Sequence, residues 1–409
     1  MKRILFSLSI ICLLSSCSSN PEIGNRFAKI VGWDDDKPNA PEGFVVTKFA
    51  DGFRNPRQAY VAPNGDILVS EAESMPDKGQ MLAAKLTGKA LSQNLGKSAN
   101  RITLLRDADR DGIPELRTTF LEDLNQPFGM LIMKNFFYVA NTDGVWRYPY
   151  KNGITQMKQK GVKILDLPAG GYNNHWTRNL TASADGKKIY ISVGSASNVA
   201  DHGMKEEQRR ANILEINPDG SGERVFASGL RNPVGTAIHP VTKELWTAVN
   251  ERDELGDDLV DDYLTSVKDG GFYGWPYVYG KTLDPRRKGE KDEMLHQTIQ
   301  PDVLLGSHTA SLGLAFFKSN AFGSDYQNGA FIGQHGSWNS TKFVGYKVVF
   351  VPYENGKFGK PRDFLTGFIK DEPQGEVHGR PAGVSELPGG KLLVCDDSSN
   401  TLWLITRMK

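Results

Sequence analysis

The sequence is poor in cysteine: Cys12, Cys17 and Cys395 are the three among 409 residues. No Cys-x-x-Cys-His run occurs, so covalently attached haem is excluded. Neither sign of charge is in excess, with 49 Lys and Arg against 48 Asp and Glu. A formal charge of +1 gives no case from composition for nucleic acid or another long-range electrostatic partner. Beyond the first residues, no apolar stretch approaches the roughly 20 residues of a spanning helix. Windows with the 3.6-residue period of a helix are few. What is present is 39% hydrophobic and 24% charged, the balance of a soluble globular protein, with 43 Gly and 21 Pro pointing to a turn-rich fold.

The start of the chain has its own chemistry. Lys2 and Arg3 precede an apolar run over residues 4–14, and small residues follow, the pattern of a secretory signal. Leu14-Ser15-Ser16-Cys17 resembles a bacterial lipobox, in which the cysteine becomes the lipidated first residue. Ser18, where Asp would be a retention signal, points to the outer membrane. The expected organisation is a leader over 1–16, lipidated Cys17 with a polar tether over 17–41, and one folded unit over 42–409, held on the periplasmic side. Cys12 leaves with the leader, so the mature chain has no pair of free thiols for an internal disulfide. Cys395 follows Leu392-Leu393-Val394 and reads as a buried strand thiol.

The folded unit reads as all-β. Short β-rich runs recur behind turn signals, beginning at Ile67, Phe136, Ile189, Leu245, Phe331 and Leu392. They follow segments such as Pro63-Asn64-Gly65-Asp66, Asp185-Gly186-Lys187-Lys188 and Pro388-Gly389-Gly390-Lys391. Most are trailed by a second strand-like run, for example Ile102-Thr103-Leu104-Leu105 and Leu402-Trp403-Leu404-Ile405. Strand, turn, strand and a longer excursion is the rhythm of a propeller blade, and six units predict a six-bladed β-propeller. Residues 43–49 are expected to complete the last blade beside residues 402–405, removing a free sheet edge. A β-sandwich with a second domain is the rival, but no Pro/Ser-rich linker divides the chain.

Propeller chemistry sits in the loops between strands. His175, in Gly170-Gly171-Tyr172-Asn173-Asn174-His175-Trp176-Thr177-Arg178, is either a general base or a structural loop histidine. Arg231-Asn232 before Pro233 is either an anion-binding pair or a turn with its arginine in solvent. Glu251, Asp257, Asp258 and the nearby Asp261, Asp262 and Tyr263 form an acidic loop that is either solvated or a Ca²⁺ site. Asp107, Asp109 and Asp111 alternate ahead of Gly112, matching the start of a Ca²⁺ loop, although position 12 is Thr118. Gln334-His335-Gly336-Ser337-Trp338-Asn339 is an unusual polar cluster, and Arg380, in His378-Gly379-Arg380-Pro381-Ala382-Gly383, is a second candidate anion clamp.

Taken in order, these motifs together with Phe272-Tyr273-Gly274-Trp275-Pro276 and Gly345-Tyr346-Lys347-Val348-Val349 resemble the glucose/sorbosone dehydrogenase family, closest to its sorbosone-dehydrogenase-like branch. The resemblance covers roughly 42–407. It implies a six-bladed quinoprotein that oxidises an aldose or related sugar aldehyde using pyrroloquinoline quinone (PQQ) and Ca²⁺. It implies that His175 is the general base, that Arg231 and Asn232 contact the cofactor and the reacting centre, and that Arg380 pairs with a PQQ carboxylate. Gln126 would line the pocket, and Glu251, Asp257, Asp258 and Tyr263 would be candidates for the cofactor-linked Ca²⁺. The pattern departs at two places. Ala382 stands where sugar-oxidising relatives have a second arginine, and residues 334–339 offer no clamp lysine. Two other classes stay open: a lipid-anchored propeller that binds carbohydrate or an envelope partner without catalysis, and a Ca²⁺-dependent hydrolase of the lactonase type.

Overall fold

The computed structural model describes residues 24–92 and 95–408. The expected leader over 1–16 and the lipidation of Cys17 lie outside them. The fold is all-β and propeller-type, built mainly from six four-stranded antiparallel sheets. Their first strands are Pro56–Val61, Met130–Met133, Arg178–Ala182, Pro233–Ile238, Ser311–Phe316 and Pro381–Leu387. The punctuated runs of the sequence are the second strands, among them Ile67–Glu71, Ile189–Val193 and Lys391–Asp396. Second strands such as Ile67–Glu71 and Leu245–Val249 are buried at every residue, because a neighbouring sheet covers each face.

Phe44–Ala50 pairs antiparallel with Thr401–Arg407, so the chain's first long strand is the fourth strand of its last sheet, as the sequence led one to expect. The tether is shorter than expected. Lys29–Ile30 pairs with Glu376–Val377, and buried Trp33 donates its indole N–H to Asp396 Oδ2 at 2.7 Å. Residues 24–41 therefore belong to the fold.

The first strands touch one another in sequence order. Ile132 donates its N–H to the Tyr60 hydroxyl at 2.9 Å, joining the first sheet to the second. Gly129 N–H reaches the Arg178 carbonyl at 2.8 Å, and Asn179 Nδ2 reaches the Val234 carbonyl at 2.9 Å. At Gly235 an added Cβ would stand 2.8 Å from the Leu312 carbonyl, and at Gly313 it would strike the Ala382 carbonyl. At Gly383 it would stand 2.7 Å from the Arg57 carbonyl, bringing the sixth sheet back to the first. These glycines let backbones approach where a side chain would hold them apart. Gly383→Ala is accordingly expected to cost about 1–3 kcal/mol by overpacking, read as a lower midpoint in denaturant unfolding.

The apolar core lies between the sheets. Phe317, Phe322, Phe331, Phe350, Phe364 and Trp403 fill the space between the fifth and sixth. Phe49, Val69, Leu393 and Cys395 fill that between the sixth and first. Cys395 is fully buried and its thiol is pushed above its ordinary range by burial, which fits the expected inert strand cysteine.

One element escaped the reading of the sequence. An α-helix, Lys78–Thr87, followed by a 3₁₀ turn, Lys89–Ser92, is inserted between the second and third strands of the first sheet. Asp77 and Gln80 form a capping box at its start, and Gly88 ends it in a left-handed conformation.

Candidate active site

Every first strand begins at the same end of the molecule, here called the mouth. The residues expected to carry chemistry sit at or just before those starts: Gln126 before Met130, His175 before Arg178, Asn232 before Pro233, and Arg380 before Pro381. Each sheet thus delivers its entry loop to a shared surface.

His175 Nδ1 lies 2.9 Å from the Ser195 carbonyl and 3.0 Å from Ser195 Oγ. A carbonyl only accepts, and Ser195 Oγ already donates to the Ser197 carbonyl at 2.6 Å. Nδ1 therefore carries the proton and Nε2 keeps the lone pair, with no hydrogen-bond partner among the described residues. Burial, reinforced by the Arg231 charge, pushes this histidine down to about 3. The ring is neutral throughout the physiological range. Gly194 separates His175 from Asn232: a Cβ there would stand 2.5 Å from both the His175 Cβ and Asn232 Oδ1. The Asn232 side-chain amide makes no hydrogen bond within the described protein.

Arg231 has a different part from the one its motif implied. All its N–H groups are engaged internally: Nε with the Asn198 carbonyl, Nη1 with Asn250 Oδ1 and the Glu251 carbonyl, Nη2 with Asn198 Oδ1 and Asp253 Oδ2 at 2.8 Å. With 2% of its surface exposed, it has no donor left for a substrate. It is a positioning residue that locks two loops and sets the charge beside His175. Burial raises the Asp253 carboxyl, but Arg231 and then His308 outweigh it and hold the group below the usual range.

On the far side of the mouth, Arg380 donates from Nε to the His335 carbonyl at 2.9 Å and from Nη2 to the Gly336 carbonyl at 2.6 Å. Its Nη1 makes no hydrogen bond among the described residues. His335 donates Nε2–H to Asp397 at 2.8 Å, and Asp397 also holds Arg57. Arg57 lies over the Trp176 ring, 5.6 Å from its centroid, next to His175. Burial and the nearby Arg380 charge push His335 down to about 4. Burial would raise Asp397, but His335 and Arg57 more than offset it and keep it ionised well below the usual carboxylate range. Gln126, with φ at 48°, donates Nε2–H to the Glu73 carbonyl at 3.0 Å and joins the helical insert to the mouth. Lys89, from that insert, places its ammonium 5.8 Å from the Trp338 ring centroid. Its side chain is still exposed, but loss of water around the ammonium lowers its pKa, with the Asp253 charge opposing and the Arg380 charge reinforcing that shift.

Arg57, Lys89, Asp253 and Asp397 were not singled out in the sequence. Arg57 had only an indirect signal: Arg54-Asn55-Pro56 repeats Arg231-Asn232-Pro233, and Arg57 is the residue that follows it. Lys89 had none, because its position depends on an insert that folds back over the mouth.

The acidic candidates divide. Glu251, Asp257 and Asp258 do not bring their carboxylates together: among the described residues the only cluster of three or more metal-ligating side chains is Asp107, Asp109 and Glu115. Asp257 accepts from Thr341 N–H at 2.9 Å and Asp258 is exposed. Glu251 is buried and pushed up to about 7 by burial, and Asp262 to about 6 for the same reason. The Tyr263 hydroxyl is buried without a partner and raised well above its ordinary range. Burial disfavours the charged form of all three groups, while Glu251 accepts from the Arg252 N–H at 2.9 Å and Asp262 from the Glu251 N–H at 2.8 Å.

The alternating aspartates do gather, with one exchange. Glu115 joins Asp107 and Asp109, whereas Asp111 accepts from Ile113 N–H at 2.7 Å. One oxygen of Asp107 is buried without a partner. This loop joins Arg101–Arg106 to Leu116–Leu121 at the end opposite the mouth, so any cation there is remote from His175.

Residues 140–342 match the family model described as Glucose / Sorbosone dehydrogenase. Over this span, just under half of its length, the chain is similar to the glucose/sorbosone dehydrogenase family. The match spans His175, Asn232 and His335, and a second model, TrAA12-like, covers residues 278–408 with Arg380 and Asp397. An uncharacterised protein of Borreliella burgdorferi is 29% identical over 70% of this chain and 77% of its own length. The PQQ-dependent pyranose dehydrogenase of Coprinopsis cinerea is 24% identical over 91% of this chain, which spans 56% of that enzyme's length. Among solved structures, the holo PQQ domain of the Coprinopsis pyranose dehydrogenase superposes with a TM-score of 0.71 at 20% identity, covering 93% of this chain and all of that one. The calcium structure of the Trichoderma reesei family AA12 enzyme has the same TM-score at 18% identity, covering 95% and 99%. These likenesses establish the fold that the family shares.

Proposed function

We propose that the protein is an exported lipoprotein quinoprotein that oxidises an aldose or related sugar aldehyde, and that its six sheets are the six blades of one propeller closed by residues 44–50. The observation that carries this reading is His175: a neutral imidazole, proton fixed on Nδ1, with an unpartnered Nε2 beside the free amide of Asn232. That is the arrangement needed to take a proton from a sugar hydroxyl. His175 accepts the proton at Nε2, the Ser195 carbonyl stabilises the resulting imidazolium through Nδ1–H, and Asn232 orients the hydroxyl. Buried Arg231 holds the two loops at that separation.

The donor set at the opposite wall fits PQQ. Among the described residues Arg380 Nη1 has no hydrogen-bond partner and the Lys89 ammonium no ion-pair partner, so two cations face the mouth where a polyanionic cofactor would lie. Lys89 supplies, from another part of the chain, the charge that residues 334–339 lack. When bound, PQQ supplies a quinone that accepts hydride from the sugar carbon. The Asp107 loop is the candidate for a structural Ca²⁺. The anchor would be lipid on Cys17, at the outer membrane facing the periplasm.

The test is to incubate the purified protein with PQQ and Ca²⁺ and follow dye reduction across a panel of aldoses. Arg380→Ala should weaken PQQ binding, followed by cofactor absorbance, because it removes a charge-assisted hydrogen bond. PQQ bound without turnover of any aldose would favour instead a propeller that binds carbohydrate or an envelope partner.

A further inference from the structure

The exposed apolar side chains are unevenly placed. Of the fourteen large ones exposed among the described residues, eight lie in segments at the mouth end, including Met75, Leu82, Leu86, Leu91, Leu259 and Trp338. Leu82 and Leu86 are one helical turn apart and 60% and 80% exposed. A cluster of this kind on a water-soluble surface marks an interaction site. Around the insert the charge is mainly positive: between residues 77 and 97 the chain carries Lys78, Lys85, Lys89 and Lys97 against Asp77. A short helix with exposed leucines and a cationic surround is suited to a lipid surface that bears anionic headgroups.

The N-terminal segment supplies an independent constraint. Residues 24–28 are fixed to the same end. Asn25 accepts a hydrogen bond from Asn339 at 2.8 Å, Arg26 N–H reaches the Trp338 carbonyl at 2.8 Å, and Phe27 stacks on Trp338 with ring centroids 6.1 Å apart. Ser92, at the end of the insert, bonds the Ala28 carbonyl at 3.0 Å. Cys17 stands seven positions ahead of Gly24 (24 − 17). Seven residues reach at most about 25 Å, so the anchor keeps residue 24, and with it the end of the molecule that residues 24–28 are fixed to, within that distance of the lipid.

We infer that the mouth end is the membrane-facing side, with the insert over residues 75–92 seated on an anionic bilayer surface and the proposed active site opening beside it. The inference rests on the lipoprotein reading for its anchor and adds which face the anchor presents. Substrate then enters laterally between protein and headgroups, and the site stands next to the lipid phase.

The test uses the full-length lipoprotein, purified from membranes and reconstituted into phosphatidylethanolamine/phosphatidylglycerol vesicles. Leu86→Cys and Val241→Cys are labelled with a fluorophore. Val241 is 53% exposed in the turn joining Pro233–Ile238 to Leu245–Val249, away from the mouth. Cys395 is buried, so it does not compete for label. Nitroxide-bearing lipids should quench the Leu86 label several-fold more than the Val241 label, and Leu82→Ser should reduce that quenching without releasing the protein. Equal quenching, stronger quenching at Val241, or a Leu86 label shielded by a second copy instead of by lipid would overturn the orientation while leaving the anchor standing. A chain that does not float with vesicles at all would overturn the anchor and the orientation together.

Discussion

Replacing His175 with alanine should lower sugar oxidation by about 10²–10⁴-fold, the usual contribution of a general base, and leave PQQ affinity nearly unchanged. The imidazole's proton is already committed to the Ser195 carbonyl, and the free Nε2 is the group that is lost. The pH profile supplies a second readout. Because burial and Arg231 hold His175 down to about 3, the acid limb of kcat should not fall near 6.5, the ordinary histidine value. Weakening the Arg231 field, by Arg231→Met in a chain shown to remain folded, should move that limb upward. The linkage to stability has a definite sign. The unfolded chain protonates His175 below its ordinary value and the folded chain does not, so folding is weakened progressively as pH drops from about 6.5 toward 3. An alanine variant with full activity would remove the enzymatic reading.

Asp397→Ala should be the most destabilising of the single changes at the mouth, by about 3–5 kcal/mol, because it leaves the largely buried Arg57 guanidinium without its counter-charge and the neutral His335 N–H without its acceptor. Asp397 is fully buried, accepts from His335 at 2.8 Å and pairs with Arg57 Nη1, while the buried Arg57 Nε has no partner among the described residues. Asp397→Asn keeps the shape and one acceptor and should cost less. Urea unfolding at neutral pH reads both. The carboxylate is held below its ordinary range, so its contribution is complete above that range and disappears as pH falls through the folded value. His335, lowered to about 4, acts in the same direction by resisting protonation in the folded state. The wild type should therefore lose stability steeply in acid, and Asp397→Asn should be less steep. A shallow acid dependence in the wild type would show that the trio is solvated in solution.

The second strand of each sheet was legible because it is apolar, β-branched and announced by a turn: Ile67-Leu68-Val69 behind Asn64-Gly65-Asp66 is a local signal. The first strands were not. Pro233-Val234-Gly235-Thr236 and Pro381-Ala382-Gly383-Val384 look like turns, since the crowding of backbones at the centre selects proline and glycine over strand formers. His175, Asn232 and Arg380 were found through their motifs, whereas their partners Asp397 and Arg57 are 340 positions apart and meet only when the sheets close up. Arg231 shows the limit of motif transfer: its position was right, but its guanidinium faces carbonyls and Asp253 that no local pattern could name. The acidic loop misled for a similar reason, because carboxylates close in sequence, Asp257 and Asp258, are separated once Asp257 binds Thr341.

The pairing of Phe44–Ala50 with Thr401–Arg407 has a consequence for how the molecule is assembled. Phe44 sits opposite Arg407, a separation of 363 positions (407 − 44). The strand made among the first must wait, edge unpaired, for the last one to arrive. Closing so long a loop is entropically slow, and an exposed edge is open to mispairing meanwhile. Ring closure is thus a late event that no partial chain can rehearse. A polypeptide cut before residue 401 would keep five complete sheets and still lack the clasp that makes them one body.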